Sequence, residues 1–217
     1  MTVALVDAVK PRLRGWLHAG MAPVVLVAGI VLVVLSSTAA ARWSAAVFAA
    51  TGLLLFATSA LYHRGTWSPK VARVLKRLDH SNIFLIIAGS YTPIALGLPV
   101  SQRRPLLLLV WTGAVLGVLF RIFWVGAPRW LYTPVYVVLG WIAVFYLKPI
   151  LRYDGVAVLT LVSIGGVLYT LGALVYGTKH PNPSPRWFGF HEIFHALTIA
   201  AFTTHYIAAS LVLYTHT

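Results

Sequence analysis

The chain has 217 residues, of which 59% are hydrophobic and only 10% carry charge, so it lacks the polar residues that coat a water-soluble globule. Seventeen Lys and Arg residues against four Asp and Glu give a net charge of +13, which in a soluble protein would suggest nucleic acid as a partner. Here the basic residues lie between apolar runs, so we expect the partner to be the anionic headgroups of inner-leaflet membrane lipids, with no role for nucleic acid.

Seven apolar runs are long enough to cross a bilayer as helices, since a span needs roughly 20 residues. In chain order we predict spans at residues 20–41, 43–63, 81–100, 105–126, 130–147, 155–178 and 188–214. The predicted fold is an all-α seven-transmembrane helical bundle, a multi-pass protein of the cell membrane that forms one domain over residues 1–217. Two short amphipathic segments are expected on the cytoplasmic surface, residues 1–19 and residues 68–78.

The basic residues divide unequally between the two sides of this arrangement. The side of the N-terminus receives Lys10, Arg12, Arg14, Arg64, Lys70, Arg73, Lys76, Arg77, Arg121, Arg129, Lys179 and Arg186. The opposite side receives only Arg42, Arg103, Arg104, Lys148 and Arg152. Because basic loops stay in the cytoplasm, we expect the N-terminus inside and the C-terminus outside.

Three short motifs bring polar side chains to the same membrane face. The second span ends with Ser59 and His63, Asp79 precedes the third, and the seventh begins with His191 and His195. The chain contains no cysteine, so a metal site must use histidine or carboxylate ligands. Residues four apart share one face of a helix, so the His191 and His195 pair can hold one zinc ion with His63 as the third ligand. Three protein ligands leave a position for water, with Asp79 as the candidate general base and Ser59 as the hydroxyl that orients the water.

Other interpretations of these motifs remain open at this stage. Three histidines also suit iron, copper or nickel. Residues 191–195 match H-E-x-x-H, the helix motif in which the glutamate, here Glu192, is the general base of a metalloprotease. In such a protease Asp79 would serve as the third ligand. Of the remaining histidines, His205 is predicted to make a buried polar contact, and His18, His180 and His216 are predicted to be interfacial. His80, beside Asp79, could lie near the site but points about 100° away.

At these motifs the sequence resembles the haemolysin III branch of the progestin and adiponectin receptor family, which is grouped with the alkaline ceramidases. The resemblance is carried, in order, by SALYH at residues 59–63, RLDHSNIFLIIAGSYTP at 77–93 and FGFHEIFH at 188–195. In that family the corresponding serine, aspartate and histidines form the zinc site, which implies the same role here for Ser59, His63, Asp79, His191 and His195. The middle of the paired-histidine motif varies in the receptor relatives, which implies that Glu192 is incidental.

The resemblance and the motifs together favour a zinc-dependent hydrolase that cleaves an amide or ester bond of a lipid at the inner leaflet, with acyl chains held between the spans. One alternative is a non-enzymatic regulator of membrane homeostasis, in which zinc only ties the second, third and seventh spans together. The family name suggests another alternative, a cytolytic pore, although nothing in the sequence resembles a secreted soluble toxin that converts to a membrane form.

Overall fold

The structure, a computed structural model, describes residues 11–124 and 126–215. Within these ranges it contains helices and no strand, with an isolated bridge between Ser184 and Phe188. The helices are α1 Trp16–Leu35, α2 Ala39–Arg64, α3 Pro69–Ile94, α4 Val100–Phe123, α5 Arg129–Trp141, α6 Leu147–Tyr153, α7 Gly155–Thr178 and α8 Phe190–Thr215. Short 3₁₀ turns follow α3 at Ala95–Gly97 and join α5 to α6 at Ile142–Tyr146.

Six stretches of the described chain are helical, long and apolar enough to cross a membrane. They are α1, α2, α4, α7, α8 and the composite Arg129–Tyr153, which includes α5 and α6. Large apolar side chains on their outer faces are exposed, as at Leu35, Leu108, Phe123 and Phe145, where a bilayer rather than protein would cover them. The prediction of a multi-pass membrane protein is confirmed.

The prediction of a separate surface helix at residues 68–78 is wrong, because this segment is the first part of α3. The Ser68 side chain accepts a hydrogen bond from the Val71 backbone N–H, and Pro69 occupies the first turn, which together form a favourable helix start. No proline interrupts the chain again until Pro93, so the helix continues through the charged residues into the apolar ones. The charged start lowers the hydropathy of α3, which explains its absence from the six apolar stretches.

Other boundaries differ from the prediction by smaller amounts. Helix α1 begins at Trp16, so residues 16–19 belong to it rather than to the predicted N-terminal segment, of which residues 1–10 lie outside the described chain. The fifth span, predicted at 130–147, runs over Arg129–Tyr153 with a 3₁₀ break. At that break the Tyr91 hydroxyl donates to the Gly140 carbonyl at 2.6 Å and accepts from the Ala143 N–H at 2.7 Å. The predicted span 155–178 has the bounds of α7.

Helix α3 lies inside the bundle and contacts α2, α4, α5 and α8. Two groups of buried apolar side chains flank it, one from α1, α2 and α8 around Phe48 and Phe202, the other mainly from α3, α4, α5 and α7 around Phe84 and Val110. Helix α2 ends, and α1, α3 and α8 begin, at one end of the bundle, which we call the histidine end. This arrangement places the three sequence motifs beside one another.

Candidate metal centre

Three histidines converge at the histidine end. His63 lies in the last turn of α2, and His191 and His195 lie in the first two turns of α8. One ring nitrogen from each lies within 4.8 Å of the others, and the Nε2 atoms of His63 and His191 are 3.2 Å apart. All three side chains are buried, with 8%, 8% and 2% of their surface exposed. The structure therefore brings together the three residues that the sequence selected as metal ligands.

This donor set fits a divalent metal ion. At zinc–nitrogen distances of 2.0–2.1 Å, two imidazoles on one tetrahedral ion place their nitrogens about 3.3 Å apart, close to the 3.2 Å between His63 and His191. The ring planes of neighbouring histidines meet at 73° for His63 and His191 and at 62° for His191 and His195. Ring planes inclined in this way allow the nitrogens to converge on one point. Three imidazoles suit zinc and the other late first-row divalent ions alike.

Asp79 and Ser59 lie beside this cluster. An Asp79 carboxylate oxygen is 3.8 Å from His63 Nε2, and the Ser59 hydroxyl hydrogen-bonds to the same carboxylate. Ser59 is buried one turn before His63 on α2, as the spacing of four residues predicts. The cluster thus has a carboxylate and a hydroxyl next to it, contributed by α3 and α2.

His80 is held away from the three-histidine cluster by its own hydrogen bonds. Its Nδ1 contacts the Lys76 carbonyl at 2.8 Å, and since a carbonyl can only accept, Nδ1 carries the proton. The other ring nitrogen, Nε2, then accepts from the Tyr176 hydroxyl at 3.3 Å. The His80 backbone carbonyl accepts from the Tyr136 hydroxyl at 3.2 Å. His80 therefore joins α3 to α5 and α7 and fixes the position of the neighbouring Asp79.

Glu192, between the two histidines of α8, is engaged by two donors. The Arg14 guanidinium forms an ion pair with its Oε1, and the Gly189 backbone N–H donates to its Oε2 at 2.8 Å. The second contact is the helix-capping arrangement in which a glutamate in the first turn reaches back to the residue before the helix. Both oxygens of this fully buried carboxylate therefore have donors outside the three-histidine cluster, which argues against the metalloprotease interpretation.

The first turn of α1 forms a further wall of the cluster, which the sequence did not indicate. Gly15 has φ +80, and a Cβ there would lie 2.8 Å from His63 Cβ, so only glycine permits both this conformation and this approach. The His18 ring stacks on the His195 ring at 3.7 Å between centroids and 13° between planes. The prediction of an interfacial His18 is wrong, because the side chain is 2% exposed. No local spacing reveals a contact between the first and the last helix.

The remaining histidines lie away from the cluster. His205 packs against the Tyr169 ring, and its Nε2 is 3.4 Å from the Val162 carbonyl, which agrees with the predicted polar contact, although the residue is only half-buried. His180 is exposed in the loop between α7 and α8. His216 lies outside the described residues.

A cavity of about 150 Å³ extends from the cluster into the bundle. Ser59, Asp79, His191 and His195 line one part of it. Most of its remaining wall is apolar, with side chains from α2, α3, α4, α8 and the connection before α4, such as Leu55, Ile83, Ile87, Leu98, Leu106 and Phe194. Such a cavity suits an aliphatic ligand whose polar group lies at the histidines.

Comparison with known proteins shows the family to which the chain belongs. The profile of the family described as "Haemolysin-III related" matches residues 6–206. The chain belongs to the haemolysin III family. It is 34% identical over 166 residues to the "Hemolysin-3 homolog" of Bacillus subtilis (strain 168), covering 74% of this chain and 78% of that protein. It is 30% identical over 176 residues to the "Hemolysin-3" of Bacillus cereus, covering 77% of this chain and 78% of that protein.

A more distant similarity joins this haemolysin III family protein to the animal receptors. The chain is 29% identical over 162 residues to the "Adiponectin receptor protein" of Drosophila melanogaster, covering 64% of this chain but only 35% of that protein. The relationship to the progestin and adiponectin receptor family is therefore confirmed. The family match, residues 6–206, includes all three histidines of the cluster and also Ser59 and Asp79.

Proposed function

We propose that this haemolysin III family protein is a zinc-dependent hydrolase that cleaves an amide or ester bond of a membrane lipid. The observation that carries the proposal is the buried three-histidine cluster beside a carboxylate, with His191, His195 and the carboxylate on the wall of an apolar cavity. His63, His191 and His195 would hold the ion. A bound zinc ion supplies a Lewis acid at the carbonyl of the scissile bond.

The side chains around the cluster have the chemistry that hydrolysis needs. Asp79 accepts a proton from the attacking water on a carboxylate oxygen, and it lies 3.8 Å from His63 Nε2, next to the reacting position. The hydrogen bond from Ser59 stabilises the charged carboxylate and fixes its orientation. The hydrogen bonds of His80 to Tyr176 on α7 and to Tyr136 on α5 hold this part of α3, and with it Asp79, beside the cluster.

The cavity provides the binding site for the apolar part of the substrate. Its aliphatic and aromatic walls hold an acyl chain and exclude bulk water from the bond to be cleaved. A lipid whose chain occupies this cavity places its first polar group, the amide or ester, at the histidines. We therefore propose lipids with an amide-linked or ester-linked acyl chain as the substrate class.

The proposed orientation has seven spans, with the N-terminus and the histidine end in the cytoplasm. Helix α3 is added to the six apolar stretches as a span, which makes seven, because its 26 residues run through the bundle between α2, α4 and α8. The excess of basic residues on the N-terminal side supports this orientation. The start of α3 presents Lys70 and Arg73 beside exposed Val71 and Val74, a surface suited to anionic headgroups of the inner leaflet.

Single cysteines introduced into the loops test this orientation, because the chain has no cysteine of its own. We expect Ser37→Cys, between α1 and α2, to react with an impermeant thiol reagent in intact cells. Thr66→Cys, between α2 and α3, and Asn182→Cys, between α7 and α8, should react only after permeabilisation. Labelling of Thr66→Cys in intact cells would overturn the orientation, and opposite sides for Thr66→Cys and Asn182→Cys would overturn the span count.

Hydrolysis itself is tested with purified protein in detergent or in vesicles. We expect the zinc-loaded protein to release fatty acid from at least one member of a panel of ceramides, phospholipids and lysolipids, and the protein stripped with a chelator to release none. Release should return when zinc is restored. Folded, zinc-loaded protein that cleaves no member of the panel would contradict the hydrolase and favour the regulator with a structural zinc ion.

A further inference from the structure

The His18 ring contacts the three-histidine cluster by parallel stacking, whereas the rings within the cluster are inclined to one another. It lies almost parallel to the His195 ring, at 3.7 Å and 13°, and the Phe56 ring meets it edge-on at 4.9 Å and 89°. Among the ring contacts of His195 in the described chain, those with His63, His191 and Phe194 are inclined by 53° to 62°. His18 therefore provides the parallel surface against which the His195 ring lies.

This geometry distinguishes His18 from the three candidate ligands. The lone pairs of imidazole nitrogens lie in the ring plane, so two rings stacked at 13° direct them in nearly parallel planes that do not converge on one ion. The 73° and 62° inclinations among His63, His191 and His195 permit convergence. His18 thus contacts the cluster without joining it as a ligand of the same ion.

Two neighbouring contacts hold the first turn of α1 in place. Arg14 pairs with Glu192, which lies between His191 and His195 on α8. Gly15 lies so close to His63 that a Cβ at this position would be 2.8 Å from the histidine side chain. Because the residues just before α1 are attached to α8 and α2, His18 cannot move away from His195 without disturbing both contacts.

We infer that His18 is a positioning residue of the metal centre, whose flat ring fixes the plane of His195 for metal binding; this inference rests on the metal site of the proposed function. Rotation about the ring-bearing bond of histidine is otherwise broad. Groups that orient a ligand commonly contribute tenfold to hundredfold to metal affinity. In this protein, stacking from the first helix would provide that orientation for a ligand of the last helix.

Substitutions that keep or remove the flat ring test the inference, with Co²⁺ as a spectroscopic probe in the full-length, detergent-purified protein. His18→Phe retains an aromatic ring without a ring nitrogen, whereas His18→Leu fills similar space without a flat surface. We expect about tenfold or more weaker Co²⁺ binding and an altered visible absorption band for His18→Leu, and affinity within about threefold of wild type for His18→Phe. His205→Leu, at a half-buried histidine outside the cluster, is the matched control and should bind Co²⁺ as wild type does.

The outcomes separate this inference from the proposed function. Wild-type affinity and an unchanged spectrum for His18→Leu would overturn the positioning role, while the metal site itself would stand. Equal loss in His18→Phe and His18→Leu would overturn it too, since a ring nitrogen rather than the flat surface would then matter. Thermal unfolding of the metal-free variants monitors folding, and failure of the wild type to bind Co²⁺ or Zn²⁺ would contradict the metal site and with it the role of His18.

Discussion

Replacing His191 and His195 together by alanine is expected to remove zinc from the purified protein, from one ion per chain to none detectable. The double variant leaves His63 as the one imidazole of the three-nitrogen cluster, and a single histidine does not hold zinc through purification. His63→Ala should also lose the ion, because the two histidines of α8 then have no third ligand from α2. Metal analysis of wild type and variants, prepared in parallel, gives the measurement.

Two control variants make this result specific. Glu192→Gln lies inside the same motif but pairs with Arg14 and the Gly189 N–H, so we expect it to lose stability and to keep zinc. His205→Ala removes a half-buried histidine that contacts Tyr169 instead of the cluster and should also keep zinc. Zinc retained by the His191→Ala/His195→Ala variant, or lost by His205→Ala, would contradict the assignment of the ligands.

Zinc should also stabilise the wild-type protein, since a ligand that binds only the folded state raises its free energy of unfolding. The ion would join the end of α2 to the start of α8. We expect the melting temperature of wild type to rise with added zinc and that of the His63→Ala variant to remain unchanged. The same measurement shows whether a variant without zinc is still folded.

The sequence predicted the apolar helices well because their signal is local. Residues 155–178 form an uninterrupted apolar run and have the bounds of α7. The predicted start of the third span was wrong because hydropathy separates charged from apolar residues, whereas helix α3 is continuous from Pro69. Charged turns cost little where a helix extends beyond the apolar layer, so a change in polarity does not mark the end of a helix.

The sequence predicts those parts of the candidate site whose residues lie on the same helix. The spacing of four between His191 and His195, and between Ser59 and His63, places each pair on one face. The contribution of α1 was missed because Arg14, Gly15 and His18 reach the cluster through contacts between distant parts of the chain. The role of Glu192 was equally hidden, since its partner Arg14 lies before the first helix.

Asp79→Asn is expected to lower the hydrolysis rate by about 10² to 10⁴ while the protein keeps its zinc. Asparagine preserves the shape of the side chain and can still accept the hydrogen bond from Ser59, but it cannot take the proton of the attacking water. Ser59→Ala removes only that hydrogen bond, so a loss of about fivefold to tenfold is expected. Turnover is measured with the lipid that the wild type cleaves, and zinc content is measured on the same samples.

Asp154→Asn is the matched control, because this half-buried aspartate has buried carboxylate oxygens but lies against the 3₁₀ turn at Gly97, at the other end of α3, and should retain turnover. Zinc loss in Asp79→Asn would show that the aspartate is a ligand, as the metalloprotease interpretation requires. Full turnover with zinc retained would place the base elsewhere. A protein that keeps the ion and loses turnover has lost proton transfer alone, and that separation assigns metal binding to the histidines and base catalysis to Asp79.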